Sequence, residues 1–191
     1  MRTNFLKVSS MILFAGVLMM SSCKSSKGIT PKDAGEVLIQ SYCTGDEFKS
    51  TAKALRYSAI GESMDQMTAK KKAMSEAKAG LAGSINTLVK GVTDNYVKSG
   101  NFNNKEELLK NYEGLNREVI DQSLAGTIVI CEKMTKTKEG NYKCYVCIEL
   151  GGNEILQSIN NKATSNEMLK VDYNYEKFKK TFEEEMGKMG K

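Results

Sequence analysis

The chain has 191 residues, with 28 Lys and Arg against 23 Asp and Glu, and its formal charge of +5 is spread among interleaved acidic and basic side chains. Such a mixture makes no concentrated field for DNA or an anionic bilayer, so no nucleic-acid partner is expected. Histidine is absent altogether, which removes Ser-His-Asp and Cys-His machinery, histidine metal sites and the commonest general base together. No Walker loop or dinucleotide fingerprint is present, and Gly151-Gly152 lacks the lysine that a phosphate cradle needs. The expectation is a non-enzymatic protein with no cofactor and no metal.

Arg2 and Lys7 precede an apolar run over residues 11–20. A bilayer-spanning helix needs about twenty apolar residues, so this run reads as a secretory signal, not an anchor. It closes on Met20-Ser21-Ser22-Cys23, which resembles a bacterial lipobox, in which the cysteine is diacylated and becomes the new N-terminus. Each buried methylene contributes about 0.8 kcal/mol, and two chains hold a protein on a bilayer where one does not. Residues 1–22 are therefore expected to be a lipoprotein signal peptide. Residues 23–42 are expected to be the lipidated N-terminus and tether, fixed to the lipid bilayer through acylated Cys23. Lys24-Ser25-Ser26-Lys27-Gly28 has no aspartate beside the cysteine and no acidic export-like signal. The expected address is the outer membrane, facing the periplasm, with cell-surface display as the alternative.

Residues 31–48 read as a link, broken by Asp33, Gly35 and Gly45, with room for one helical turn. Residues 55–62 form the first expected strand, with Tyr57, Ala59 and Gly61 on one side and Arg56, Ser58 and Ile60 on the other. A long amphipathic helix follows over residues 63–96, its apolar positions Met67, Met74, Ala77, Leu81, Ile85, Leu88, Val92 and Tyr96 falling three or four apart. Ser63 with Gln66 reads as its capping box. Alanines 69, 73 and 77 leave its first half thin enough to approach a sheet closely, where Ala59 and Gly61 make room. Lys70, Lys71, Lys72, Glu76 and Lys78 form a wet face. Without an aromatic platform or arginines, the lysine triplet is read as solvated surface, and Met67 with Met74 as core filler.

A short helix is expected over residues 105–112. Residues 123–134 and 142–150, rich in β-branched and aromatic side chains, form a hairpin. The expected register sets Ile128, Ile130 and Met134 against Leu150, Ile148 and Cys144, with Cys131 opposite Cys147 on the other face. Further helices are expected over residues 153–161 and from near Asp172. The last carries a stripe of Tyr175, Phe178, Phe182 and Met186, read as docking on the domain or, alternatively, as a surface that meets a partner or a second copy.

Four cysteines remain after Cys23 in a chain expected to reach an oxidising compartment. Cys144 and Cys147 mimic a C-x-x-C pair, yet residues three apart on a strand face opposite ways. Cys43 with Cys131 is the expected bridge, with Cys131 to Cys147 as the competing pair. Cys144 is expected as a buried thiol and Cys147 on the far face.

Several stretches together resemble the LPP20 lipoprotein family. They are Arg56-Tyr57-Ser58-Ala59-Ile60-Gly61-Glu62-Ser63 running into Asp65 and Ala69-Lys70-Lys71-Lys72-Ala73, then Leu124-Ala125-Gly126-Thr127 and residues 142–150. The resemblance covers residues 43–152. It implies a compact domain with a helix packed on a small antiparallel sheet, in a membrane-anchored envelope protein with no catalytic residues to transfer. The expected fold class is thus α+β in the order β-α-β-β, with additional C-terminal helices. An LPP20-like domain is expected over residues 43–162 and a charged amphipathic helix over 163–191. The expected partner is an unidentified envelope protein or a second copy of the chain, with regulation of a cell-wall enzyme or surface adhesion as alternatives.

Overall fold

How closely the long helix approaches the sheet is set by a row of small side chains. The computed structural model describes residues 39–190. Helix α1 runs Gln66–Ser99 and buries Ala69, Ala73 and Ala77 in its first half, then Leu81, Ile85, Leu88, Val92 and Tyr96. Strand β1, Ala54–Ser63, lies under the thin half. A Cβ at Gly61 would stand 2.3 Å from the Ala69 carbonyl oxygen and 2.4 Å from the Ala73 nitrogen, so the strand meets helix backbone there. A Cβ at Gly80 would likewise stand 2.1 Å from the Tyr57 ring, which occupies that dent in the helix.

Strand β2, Ile128–Lys136, and strand β3, Tyr142–Gly151, complete a three-stranded antiparallel sheet in the order β1-β3-β2. The fold is α+β: a long helix on a small antiparallel sheet, with helices α2 (Lys105–Ala125), α3 (Gly152–Ser165) and α4 (Tyr175–Met189) around it. Central strand β3 buries Cys144, Val146, Ile148 and Leu150. Before β1 the chain makes one 3-10 turn, Asp46–Phe48.

Local expectations change in four places. Ser63 is the last residue of β1, paired with Tyr142, so it is held extended and cannot cap α1. Asp65 caps instead, its carboxylate accepting the Thr68 N–H at 2.7 Å, and hydrogen bonding by Thr68 holds that carboxyl below the usual range. Met67 lies on the exposed first turn at 59% exposure, while Met74 packs partly against the core. Helix α2 continues past Tyr112, because Leu108, Tyr112, Val119 and Ser123 form one buried stripe. It ends where Gly126 donates its N–H to the Ser123 carbonyl, so residues 123–125 are helix and not strand.

The hairpin register holds on one side of a bulge only. Met134 pairs with Cys144 and Cys131 with Cys147, but an irregularity between Val129 and Cys131 sets Ile128 opposite Glu149 and Val129 opposite Ile148. The extra residue turns that end of β2 outward. Ile128 is 58% exposed and does not face Leu150.

The C-terminal part shares the same core. The boundary expected at residue 162 falls inside α3, and α4 packs on α1. The Tyr96 hydroxyl, buried from α1, donates to the Asp172 carbonyl at 2.9 Å and accepts the Asn174 N–H at 2.8 Å. It thereby fastens the chain just ahead of α4, whose own first turn is capped by Asn174.

Replacement of Gly61 by Ala is expected to lower stability by about 1–3 kcal/mol, the usual cost of forcing atoms into packed space. Gly83, with nothing within 4 Å of an added Cβ, is the control: Gly83→Ala is expected to raise stability by up to about 1 kcal/mol through helix propensity. Urea denaturation of the two variants checks both signs.

Candidate functional site

Strand β1 lies at the edge of the sheet, and its main-chain groups alternate between β3 and the open side. Part of that open side is closed from within the chain. Ala54 accepts the Thr51 N–H at 2.8 Å and donates to the Thr51 hydroxyl at 3.2 Å. Arg56 donates its N–H to the Ser50 hydroxyl at 2.9 Å. At the far end the Lys72 ammonium donates to the Glu62 carbonyl at 3.1 Å. Between these stops Ser58 and Ile60 each turn an N–H and a C=O outward, and none of these groups has a partner among the described residues.

The same window opens into a groove of about 630 Å³. One side is β1 from Tyr57 to Glu62, and the other is the α1 face carrying Lys72, Ser75 and Glu76. Tyr57 and Ile60 are 40% and 50% exposed at its rim, and Met64 and Met67 stand exposed at the turn into α1. Charges of both signs surround it. A hydrogen bond from Asn141, with Lys143 at 3.4 Å, holds the Glu62 carboxyl below its ordinary range. The opposite edge, β2, differs. It carries the bulge and the exposed charges Glu132, Lys133 and Lys136, devices that discourage a further strand from adding.

The sheet face away from α1 holds the cysteine chemistry. Cys43 is disulfide-bonded to Cys131, with their Cα atoms 5.5 Å apart. Cys43 itself adopts φ 56°, a left-handed conformation uncommon for a residue with a side chain. Beside it Tyr42 packs edge-on against Tyr145 at 5.3 Å, and Ser58 donates its hydroxyl to the Cys43 carbonyl at 2.6 Å. Arg56 binds Glu149 at 2.6 Å and donates to the Glu47 and Lys49 carbonyls, so it too ties the leading segment to the sheet. Cys144 and Cys147 are free and buried on opposite faces. Burial pushes both thiols above their ordinary value.

Cys23 lies outside the described residues. The C-terminal stripe is not the partner surface considered from the sequence. Phe178, Phe182 and Met186 are 0%, 3% and 1% exposed, and only Tyr175 reaches solvent, at 40%. Phe178 sits among Tyr96, Tyr112 and Tyr173, with ring centroids 5.2, 6.0 and 5.4 Å away. An apolar stripe of this size finds its cheapest cover in the rings that its own fold supplies. Among the described residues no group of three or more His, Cys, Asp or Glu gathers to hold a metal ion.

No protein-family model, curated protein or solved structure matches the chain. The groove therefore rests on its own geometry. Sequence reasoning placed Lys72 and Glu76 on a wet face and Ser58 and Ile60 on one side of a strand, but did not join them. The missing signal is strand order: nothing in residues 54–63 says that β3, and not β1, is central.

Truncation separates the two kinds of stripe residue. Phe178→Ala is expected to cost about 3–5 kcal/mol as a cavity in a packed core. Tyr175→Ala is expected to stay within about 0.5 kcal/mol of the parent, as surface changes usually do. Chemical denaturation midpoints of the two variants provide the check.

Proposed function

We propose that this chain is a non-enzymatic, membrane-anchored envelope lipoprotein of LPP20-like character whose folded domain binds another envelope component at the free edge of β1. The observation that carries the reading is the unpaired window at Ser58 and Ile60, opening directly into the groove beside α1. Strand addition at such an edge uses main-chain bonds for attachment and neighbouring pockets for selection. The anchor in this proposal is acylated Cys23. No helix among the described residues is long and apolar enough to cross a membrane.

Magnitudes decide what kind of ligand fits. Main-chain bonds at Ser58 and Ile60, each with a net value of about 0.5–1.5 kcal/mol, give about 2–6 kcal/mol together. A micromolar complex needs about 8 kcal/mol, so side chains of the added strand must enter the groove and cover Tyr57 and Ala59. The favoured ligand is an extended protein segment with alternating apolar residues, presented within reach of the membrane-tethered domain.

The test is in-cell photocrosslinking of the full-length chain with the photoreactive residue at Ser75 in the groove wall, and, for comparison, at exposed Lys110 on α2. The expected result is capture of one defined envelope protein from Ser75, through a single mapped extended segment, with little capture from Lys110 and less from Ser75 when Cys23→Ala removes the anchor. Equal, diffuse patterns from both positions would overturn the proposal. Capture of the chain's own β1 would replace the envelope partner with self-association.

A further inference from the structure

We infer that Cys43, Cys131 and Cys147 form a thiol–disulfide exchange site, in which the Cys147 thiol displaces Cys43 from Cys131 and unfastens the segment ahead of β1 from the sheet. The inference rests on the three sulfurs alone and stands apart from the binding role proposed for the groove.

Cys131 and Cys147 are direct partners in the β2–β3 register, so their side chains leave the sheet on the same face. Directly opposite residues of an antiparallel pair have Cα atoms about 4.5–5.5 Å apart, within the range of about 4.4–6.8 Å that a disulfide bridges. The existing bridge spans 5.5 Å between the Cα atoms of Cys43 and Cys131. Cys131 therefore has two candidate partners at bridging distance, one bonded and one a free, buried thiol. Cys144 is excluded, because it leaves β3 on the opposite face, toward α1.

The exchange balances without an outside oxidant or reductant. The Cys147 thiol loses its proton, and its sulfur attacks the Cys131 sulfur. The Cys43–Cys131 bond breaks as the Cys131–Cys147 bond forms. Cys43 leaves as a thiolate and takes up a proton. One disulfide and one thiol are present before and after, and only their positions change.

Cys43 is the natural leaving partner. It sits in the left-handed conformation while bridged, with its carbonyl accepting the Ser58 hydroxyl, and release frees that backbone to relax. What opposes release is the loss of that Ser58 bond, of the Tyr42–Tyr145 contact and, as far as Ser50, of the Arg56 bonds to the Glu47 and Lys49 carbonyls. Local structure responds directly. The leading segment supplies Ser50, whose hydroxyl occupies the outer edge of β1 at Arg56, so unfastening it would lengthen the unpaired edge.

Thiolate formation sets the rate. Burial holds the Cys147 thiol up and Glu149 on β3 adds to this, while Ser58 and Arg56 on β1 pull it down by less. The covering segment presents the Phe48 carbonyl to it, and β2 presents the Cys131 sulfur. The thiol is thus mostly protonated at neutral pH, and its reactive fraction rises about tenfold per pH unit until the raised pKa is reached.

The experiment uses the purified full chain with Cys23→Ala, so that Cys144, buried on the opposite face, is the one remaining thiol outside the cluster. The protein is incubated at pH 7, 8 and 9 with iodoacetamide, quenched in acid, digested with pepsin and mapped for disulfides. The expected product is a Cys131–Cys147 peptide with alkylated Cys43, appearing about tenfold faster per pH unit, abolished by Cys147→Ser and retained in Cys144→Ser. Because Cys147→Ser can disturb folding, a Cys43→Ser chain shown to be folded by circular dichroism is also treated with oxidised glutathione. It is expected to form the Cys131–Cys147 bond. Finding only Cys43–Cys131 at every pH overturns the inference, as does a folded Cys43→Ser chain that keeps Cys131 and Cys147 unpaired.

Discussion

The rest of the structure depends on one close approach, that of α1 onto β1 through Gly61, Ala69 and Ala73. Where an added Cβ would stand only 2.3 Å from helix backbone, the helix axis can come no nearer. Further along, the buried face carries larger side chains, among them Leu81, Ile85, Leu88 and Tyr96. Near the C-terminal end of α1 Tyr96 meets Phe102, Tyr112, Tyr173 and Phe178, an aromatic group that gathers α1, α2 and α4. Burial pushes the Tyr112 hydroxyl far above its ordinary pKa, and no hydrogen-bond partner for it is present among the described residues. Packing of the rings outweighs that loss, since each large side chain removed from water contributes about 1.5–3 kcal/mol.

The same close approach leaves the groove. With its thin half pressed on Gly61, α1 turns Lys72, Ser75 and Glu76 toward the free side of β1 and not over the middle of the sheet. Edge strands are ordinarily protected, and each edge here is treated differently. On β2 a bulge and charges provide protection. On β1 protection comes from Ser50 and Thr51 at one end and Lys72 at the other, and it stops short of Ser58 and Ile60.

On the opposite face a short segment substitutes for a second helical layer. Cys43, Tyr42 and the 3-10 turn cover Cys147 and part of β3. Few apolar contacts would hold so short a stretch, which explains why it is attached by a covalent bond, by the Ser58 hydroxyl and by the Arg56 guanidinium together.

Much of this was legible in the residues themselves, and what was legible shares a physical cause. Three-to-four spacing of Leu81, Ile85, Leu88 and Val92 determines a helix because burial acts on one face whatever lies opposite. Small residues at Ala59, Gly61, Ala69 and Ala73 announce a close approach for the same reason, and β-branched runs over residues 127–131 and 144–148 announce strands. Local chemistry alone misplaced the capping residue, the end of α2 and one end of the hairpin register, each time because a partner distant in sequence intervened. Tyr142 keeps Ser63 extended, a buried stripe carries α2 to Ala125, and the bulge before Cys131 redirects Ile128. Only tertiary structure decided that β1 is an edge, that the 3-10 turn ahead of it covers Cys147, and which of the two readings of the α4 stripe, docked or surface, holds. Those are questions of which neighbour a residue finds across the fold, and spacing along a chain carries no information about that choice.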